Sequence, residues 1–252
     1  MLGEMPYAVG FLIALAVGLT GVGAGSITAP ILILVFAISP AESVGTALIY
    51  GAIIKLVVAP MYLMRKQVNR RVMLLLCGGG LPGVLFGVYL IGALNSRHYE
   101  RALFVLLGTT IAATAVYSVY RTLQKGKAAH GVDRHGWLPA IAAAIGAEVG
   151  FSSAGAGALG SLALMNLTSL SPAEVVGTDM LFGLVLSVVG GGFNLTAGHY
   201  DSVLLWKLTA GGIAGVLIGA NLTAVLPARP LRVGLSLWLS LVGAQLAWKG
   251  LF

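Results

Sequence analysis

The chain has 252 residues, of which 58% are hydrophobic and 9% charged, against the roughly 25% charged that soluble domains carry. Only a bilayer makes such a chain comfortable, so a soluble globular domain is excluded. The formal charge of +7 would point to nucleic acid in a soluble chain; here Lys and Arg gather in short loops between apolar spans, the positive-inside habit, and nucleic acid is set aside as a partner.

The chain repeats itself internally. Moving along it by 132 residues carries Ser39-Pro-Ala-Glu-Ser-Val-Gly-Thr46 onto Ser171-Pro-Ala-Glu-Val-Val-Gly-Thr178 without a gap. The same step puts Gly23-Ala-Gly25 on Gly155-Ala-Gly157, and Gly79-Gly80-Leu-Pro-Gly83-Val-Leu-Phe-Gly87 on Gly211-Gly212-Ile-Ala-Gly215-Val-Leu-Ile-Gly219. The expected architecture is an all-α polytopic membrane protein of two homologous halves, 1–121 and 137–252, joined by a cytoplasmic linker at 122–136. Cys77 is the one cysteine, so no intrachain disulfide forms. The first residues lack a positive n-region and carry Glu4, and a cleaved signal peptide is not expected.

In chain order, residues 7–36 are apolar for about 45 Å of helix, longer than the roughly 30 Å hydrocarbon core. Glycines 18, 21, 23 and 25 interrupt them. The segment is either one kinked span or two half-helices, 7–19 and 26–37, that enter and leave from one face. Residues 138–167 repeat that form. Ser39-Pro40-Ala41-Glu42 and Ser171-Pro172-Ala173-Glu174 read as helix starts, with Ser as N-cap, Pro at the first helical position and Glu closing a capping box. Spans are predicted at 42–64, 72–94 and 98–120, and again at 174–197, 203–226 and 230–249. Glycines 79, 83, 87 and 211, 215, 219 line one helix face each, as close backbone packing requires. The loop 65–71 carries four positive charges, whereas its counterpart 197–203 carries none beyond a histidine. Equivalent loops with opposite charge habits favour inverted repeats with re-entrant broken segments; a broken segment that crosses once makes the repeats parallel.

Half-helices that meet inside a membrane expose backbone donors at the positive end of a helix dipole, which suits an anion. The candidate binding groups are the backbone of Gly23, Ala24, Gly25, Gly155, Ala156 and Gly157, with hydroxyls of Ser26, Thr28, Ser152 and Ser153. Ser26 and Ala158 are expected to begin the outgoing half-helices. The simpler role for these glycines is close helix crossing. Lys55 lies 13 residues into the predicted 42–64 span, where a charge is costly, and its counterpart is Ser187, so the fold itself does not demand lysine. It is read as the substrate's positive partner or half of an ion pair. Glu148 and Asp179 are the candidate proton or ion-coupling groups; Glu148 is equally suited to pair with Lys55, and Asp179 to sit at the interface. No metal-ligand spacing, catalytic triad or phosphate loop is present, so neither enzyme chemistry nor a cofactor is expected.

The glycine stretch Gly18-Leu-Thr-Gly-Val-Gly-Ala-Gly-Ser with trailing Pro30, the Ala47-Leu…Lys55 segment and the Gly79–Gly87 helix resemble the TauE/SafE sulfite exporter family of membrane transporters. The second half departs from the pattern, with Leu162 where the first has Pro30. That resemblance implies movement of small sulfur-containing anions such as sulfite, sulfonates or thiosulfate, linked to a proton or ion gradient. The expected function is a secondary transporter, an exporter of such an oxyanion in the inner cell membrane. A passive anion channel and a non-transporting assembly subunit are the alternatives. Partners are then a small anion and membrane lipid, with self-association left open.

Overall fold

The computed structural model describes residues 4–20, 23–95, 100–123, 135–222 and 228–251. These form ten α-helices and a short 3-10 turn, with no β-strand among the described residues. In chain order the helices are α1 Met5–Thr20, α2 Ala24–Val35, α3 Pro40–Met64, α4 Arg70–Leu94, α5 Glu100–Leu123, α6 Leu138–Ser152, α7 Leu159–Leu167, α8 Pro172–Ala197, α9 Ser202–Leu222 and α10 Ala228–Leu251. Most of the linker expected at 122–136 falls outside the described residues, as do Gly21 and Val22 of the first glycine stretch.

Five helices (α3, α4, α5, α8 and α9) are long and apolar enough to cross a bilayer. The protein is a polytopic membrane protein. The helix at the sixth expected span, α10, has 24 residues, and Ser236, Ser240, Gln245 and Lys249 make it less apolar than those five. It lies along the spanning helix α5, where a glycine on each side, Gly108 and Gly243, lets the backbones touch.

The helix starts follow from their caps. At α8 the Ser171 hydroxyl accepts from the Glu174 backbone N–H, while the Glu174 carboxylate accepts from the Ser171 backbone N–H at 3.0 Å, closing the expected capping box. Ser39 caps α3 in the same way through the Glu42 backbone N–H. The α4 and α9 starts are tied across the repeat. Asn69 caps Val72 at 3.1 Å and Asp201 caps Leu204 at 2.9 Å. The backbone N–H of Asn69 then donates to Thr178 Oγ1, and that of Asp201 to Thr46 Oγ1. Each half thus holds a helix end of the other.

Two glycine seams carry the packing. Gly79, Gly83 and Gly87 of α4 lie on the backbone of Pro139, Ala143 and Ala147 in α6. Their counterparts Gly211, Gly215 and Gly219 of α9 lie on the backbone of Tyr7, Phe11 and Leu15 in α1. A Cβ on any of these glycines would run into main chain, which is why small residues are needed. Contacts climb both helices of each seam together, so each pair runs parallel. Behind the seams, Tyr50 and Phe182 are equivalent and fully buried: Tyr50 covers Gly212 and donates to the Gly10 carbonyl at 2.7 Å, and Phe182 covers Gly80. Between the seams α3 crosses α8 antiparallel, with Gly45 near Asn194, Leu48 near Gly190 and Lys55 near Gly183.

Candidate functional site

The two helix interruptions meet at the α3/α8 crossing. In the second half, α6 ends at Ser152 and α7 begins at Leu159; Ser153, Gly155 and Gly157 between them have φ of 61°, 92° and 98°. Glycine adopts that left-handed backbone without a Cβ penalty, and Ser153 is the residue there that bears one. The turn is closed by Ser152 Oγ, which accepts from the Ala154 N–H at 3.2 Å and donates to the Glu148 carbonyl, and by the Leu159 N–H on the Gly155 carbonyl at 3.0 Å. Among the described residues nothing accepts from the backbone N–H of Ala156 or Gly157. In the first half, Gly23 is the N-cap of α2 and the Ser26 N–H bonds back to its carbonyl at 3.1 Å.

The outgoing helices therefore start at Ala24 and Leu159, where the sequence suggested Ser26 and Ala158. A glycine can itself cap, which moves the first start earlier, and the left-handed turn consumes residues through Ala158, which moves the second later. The interruptions touch: a side chain on Gly23 would meet the Ala156 carbonyl, and one on Gly25 would meet Ser153. Ala24 packs at Gly51 of α3, and its counterpart Ala156 at Gly183 of α8.

Lys55 reaches this junction from α3. It is 5% exposed, and its Nζ donates to Ser187 Oγ at 2.9 Å and to the Gly183 carbonyl at 3.0 Å. Gly183 is what admits the ammonium, since a Cβ there would stand 3.1 Å from Nζ. A cleft opens beside it, lined by Gly23, Lys55, Ala156, Gly157, Ser161 and Asp179 among others. Asp179 is 3% exposed and accepts from Ser161 Oγ at 2.5 Å. One wall of the cleft thus brings a cation, a carboxylate and both glycine turns together, a set able to hold a small charged solute.

Not every expected group faces that cleft. Thr28 Oγ1 turns back onto the Ala24 carbonyl at 2.8 Å, and Ser152 serves its own turn. Ser153 Oγ is buried beside Gly25 with no hydrogen-bond partner among the described residues. Glu148 stands behind the second turn, its carboxylate against Gly155 and its Oε1 buried without a partner among the described residues. Lys55 donates to the neutral oxygens of Ser187 and Gly183, not to Glu148. Sequence reasoning missed Ser161, whose only signal was a hydroxyl one turn past the interruption, and Gly183, whose signal was its match to Gly51.

Comparison with known proteins places the chain in a family. The sequence pattern of the family described as "Sulfite exporter TauE/SafE" matches residues 7–246. The chain belongs to the TauE/SafE family. Its relatives include the "Probable membrane transporter protein YjnA" of Bacillus subtilis (strain 168), 28% identical over 88% of this chain and 91% of that protein. The "Probable membrane transporter protein YdhB" of the same organism is 26% identical over 94% of this chain and 96% of its own length. No solved structure matches the chain. As a TauE/SafE member the protein is a membrane transporter, not an enzyme.

Proposed function

We propose that this TauE/SafE protein is a secondary transporter that exports a small sulfur-containing oxyanion, sulfite or an organosulfonate, across the inner cell membrane by alternating access. The observation that carries the reading is the convergence of both glycine turns on one buried lysine at a cleft. Backbone donors at the turns of Gly23, Ala24, Gly25 and Gly155, Ala156, Gly157 would hold the anion's oxygens, and Lys55 would supply positive charge. The Lys55 hydrogen bonds go to the neutral oxygens of Ser187 and Gly183, and Asp179 is the one carboxylate lining the cleft among the described residues, so an anion there would draw on the ammonium and the backbone donors against a single negative charge. Glu148 and Asp179 would take up the coupling proton or ion.

The repeats would be inverted, and each broken segment re-entrant. Support comes from helix directions: α3 is antiparallel to its own counterpart α8, and α5 to α10, with Gly250 near Arg101 and Gly243 near Gly108. A two-fold that reverses such helices lies across them, hence in the bilayer plane when they stand upright. That is the recurrent plan of transporters that rock about a central site.

Uptake of labelled sulfite and sulfate into proteoliposomes, with and without a pH gradient, tests the reading in the parent and in Lys55→Ala. Saturable, gradient-dependent sulfite flux lost in Lys55→Ala is expected. Equal flux in both proteins removes Lys55 from the mechanism, and ohmic, non-saturating flux makes the protein a channel.

A further inference from the structure

A second cavity adjoins the central cleft. It is lined by Val58, Met61 and Tyr62 of α3 and by Arg65 just past its end, and it shares Val17 and Met180 with the cleft. Lys55, Val58, Tyr62 and Arg65 follow one face of α3 at helical spacing, so one stripe runs from the buried ammonium to an exposed guanidinium at the helix end. Arg65 opens the basic loop that continues with Lys66, Arg70 and Arg71.

The counterpart location in the other half is filled. There Val58 is replaced by Gly190, Tyr62 by Asn194 and Arg65 by Ala197. Val84, Leu48 and Val88 crowd Gly190, within 3.0, 3.3 and 3.5 Å of where a Cβ would stand. Asn194 is fully buried and its Nδ2 donates to the Gly190 carbonyl at 2.8 Å. The cleft therefore has an adjoining cavity toward Arg65 and packed aliphatic side chains at the equivalent place opposite.

We propose that the Arg65 cavity is the vestibule through which a small oxyanion reaches the central cleft, with Arg65 as its first cationic contact and Val17 and Met180 as the barrier between the two chambers. The proposal rests on the transport reading for its ligand, but the chemistry is local: one guanidinium beside a phenol at the mouth of an otherwise apolar passage selects anions over cations. Among the described residues the passage has no acidic side chain, since its other walls are Gly18, Val216 and Ala220.

Thiol labelling of detergent-solubilised protein reads this without any flux. In a Cys77→Ala background, Val58→Cys is exposed to an anionic and to a cationic methanethiosulfonate of similar size, and Val84→Cys serves as the probe of the filled side. Val58→Cys should react faster with the anionic reagent, and that preference should fall on the order of tenfold in Arg65→Gln, as one neighbouring charge commands at short range. Val84→Cys should stay unlabelled. Equal rates with the two reagents, a preference unchanged by Arg65→Gln, or Val84→Cys reacting as fast as Val58→Cys overturns the vestibule. Labelling as expected with no sulfite flux in proteoliposomes keeps the anion-selective passage and overturns the transport reading instead.

Discussion

The glycine seams and the α3/α8 crossing use the same repeat in opposite ways. In the seams the backbone contacts of one side recur on the other: Gly83 on Ala143 is matched by Gly215 on Phe11, and Phe182 over Gly80 by Tyr50 over Gly212, although only Tyr50 carries a hydroxyl to bond the Gly10 carbonyl. At the crossing the match fails at several pairs, Val58 against Gly190 and Ala47 against Asp179 among them, and where Lys55 of one half meets Ser187 of the other the two mismatched residues bond to each other. Packing tolerates duplication because backbone contact asks only for small residues. Two lysines facing each other across the crossing would place like charges in contact, so the chemistry there has to be single-sided. Symmetry marks what holds the fold, and its breach is where the proposed function puts the anion's positive partner.

That contrast can be broken at the seams first. Gly83→Leu and Gly215→Leu each force a branched side chain into main chain, and both should lose more than about 3 kcal/mol, the upper range of overpacking. Thermal unfolding in detergent should show the two falling together; a tolerated Gly215→Leu beside a ruined Gly83→Leu would mean the seams are not equivalent. The crossing comes next. Lys55→Ser should cut sulfite flux about a hundredfold, the loss of a buried charged partner. Adding Ser187→Lys, which returns an ammonium from the other helix, should recover flux to within about tenfold of the parent. A double variant as dead as the single would show that the side from which the charge arrives matters, not only its presence.

Smaller effects sharpen the comparison. A Cβ on Gly183 would press on the Lys55 ammonium at 3.1 Å, whereas one on Gly51 would find its nearest neighbour, the Ala24 Cβ, at an ordinary 3.7 Å. Gly183→Ala should therefore raise the transport KM severalfold while Gly51→Ala leaves it near the parent value. Equal KM changes would refute a special need for glycine beside Lys55. Last, Thr46→Val and Thr178→Val each delete one cross-repeat hydrogen bond and should each cost about 1 kcal/mol of stability. Melting curves of the two variants that differ widely would show that the helix-end ties are unequal.

Much of this is legible in the sequence because duplication writes it twice. The helix starts at Ser39 and Ser171, the glycine faces of α4 and α9, and the odd lysine opposite a serine all stand out from the 132-residue step. The contacts of Lys55 are not so visible. The repeat says that Lys55 and Ser187 are equivalent positions, but that α3 crosses α8 so that they touch is a fact of packing between the halves. Hydroxyls mislead for a local reason: Thr28 and Ser152 satisfy backbone carbonyls one helical turn away, an option that serine and threonine always hold. The position of Glu148 behind the Gly155 turn depends on left-handed backbone at Ser153 and Gly155, and spacing alone does not reveal how such a turn folds back.

The pairing of α1 with α9 also sets a schedule for biogenesis. The α1 face that carries Tyr7, Phe11 and Leu15 is finished at Thr20, while the helix whose glycines cover it begins at Ser202. At translation rates of roughly 5–20 residues per second, α1 waits on the order of 10–40 s for that cover. During that interval lipid or the insertion machinery shelters a surface built for another helix.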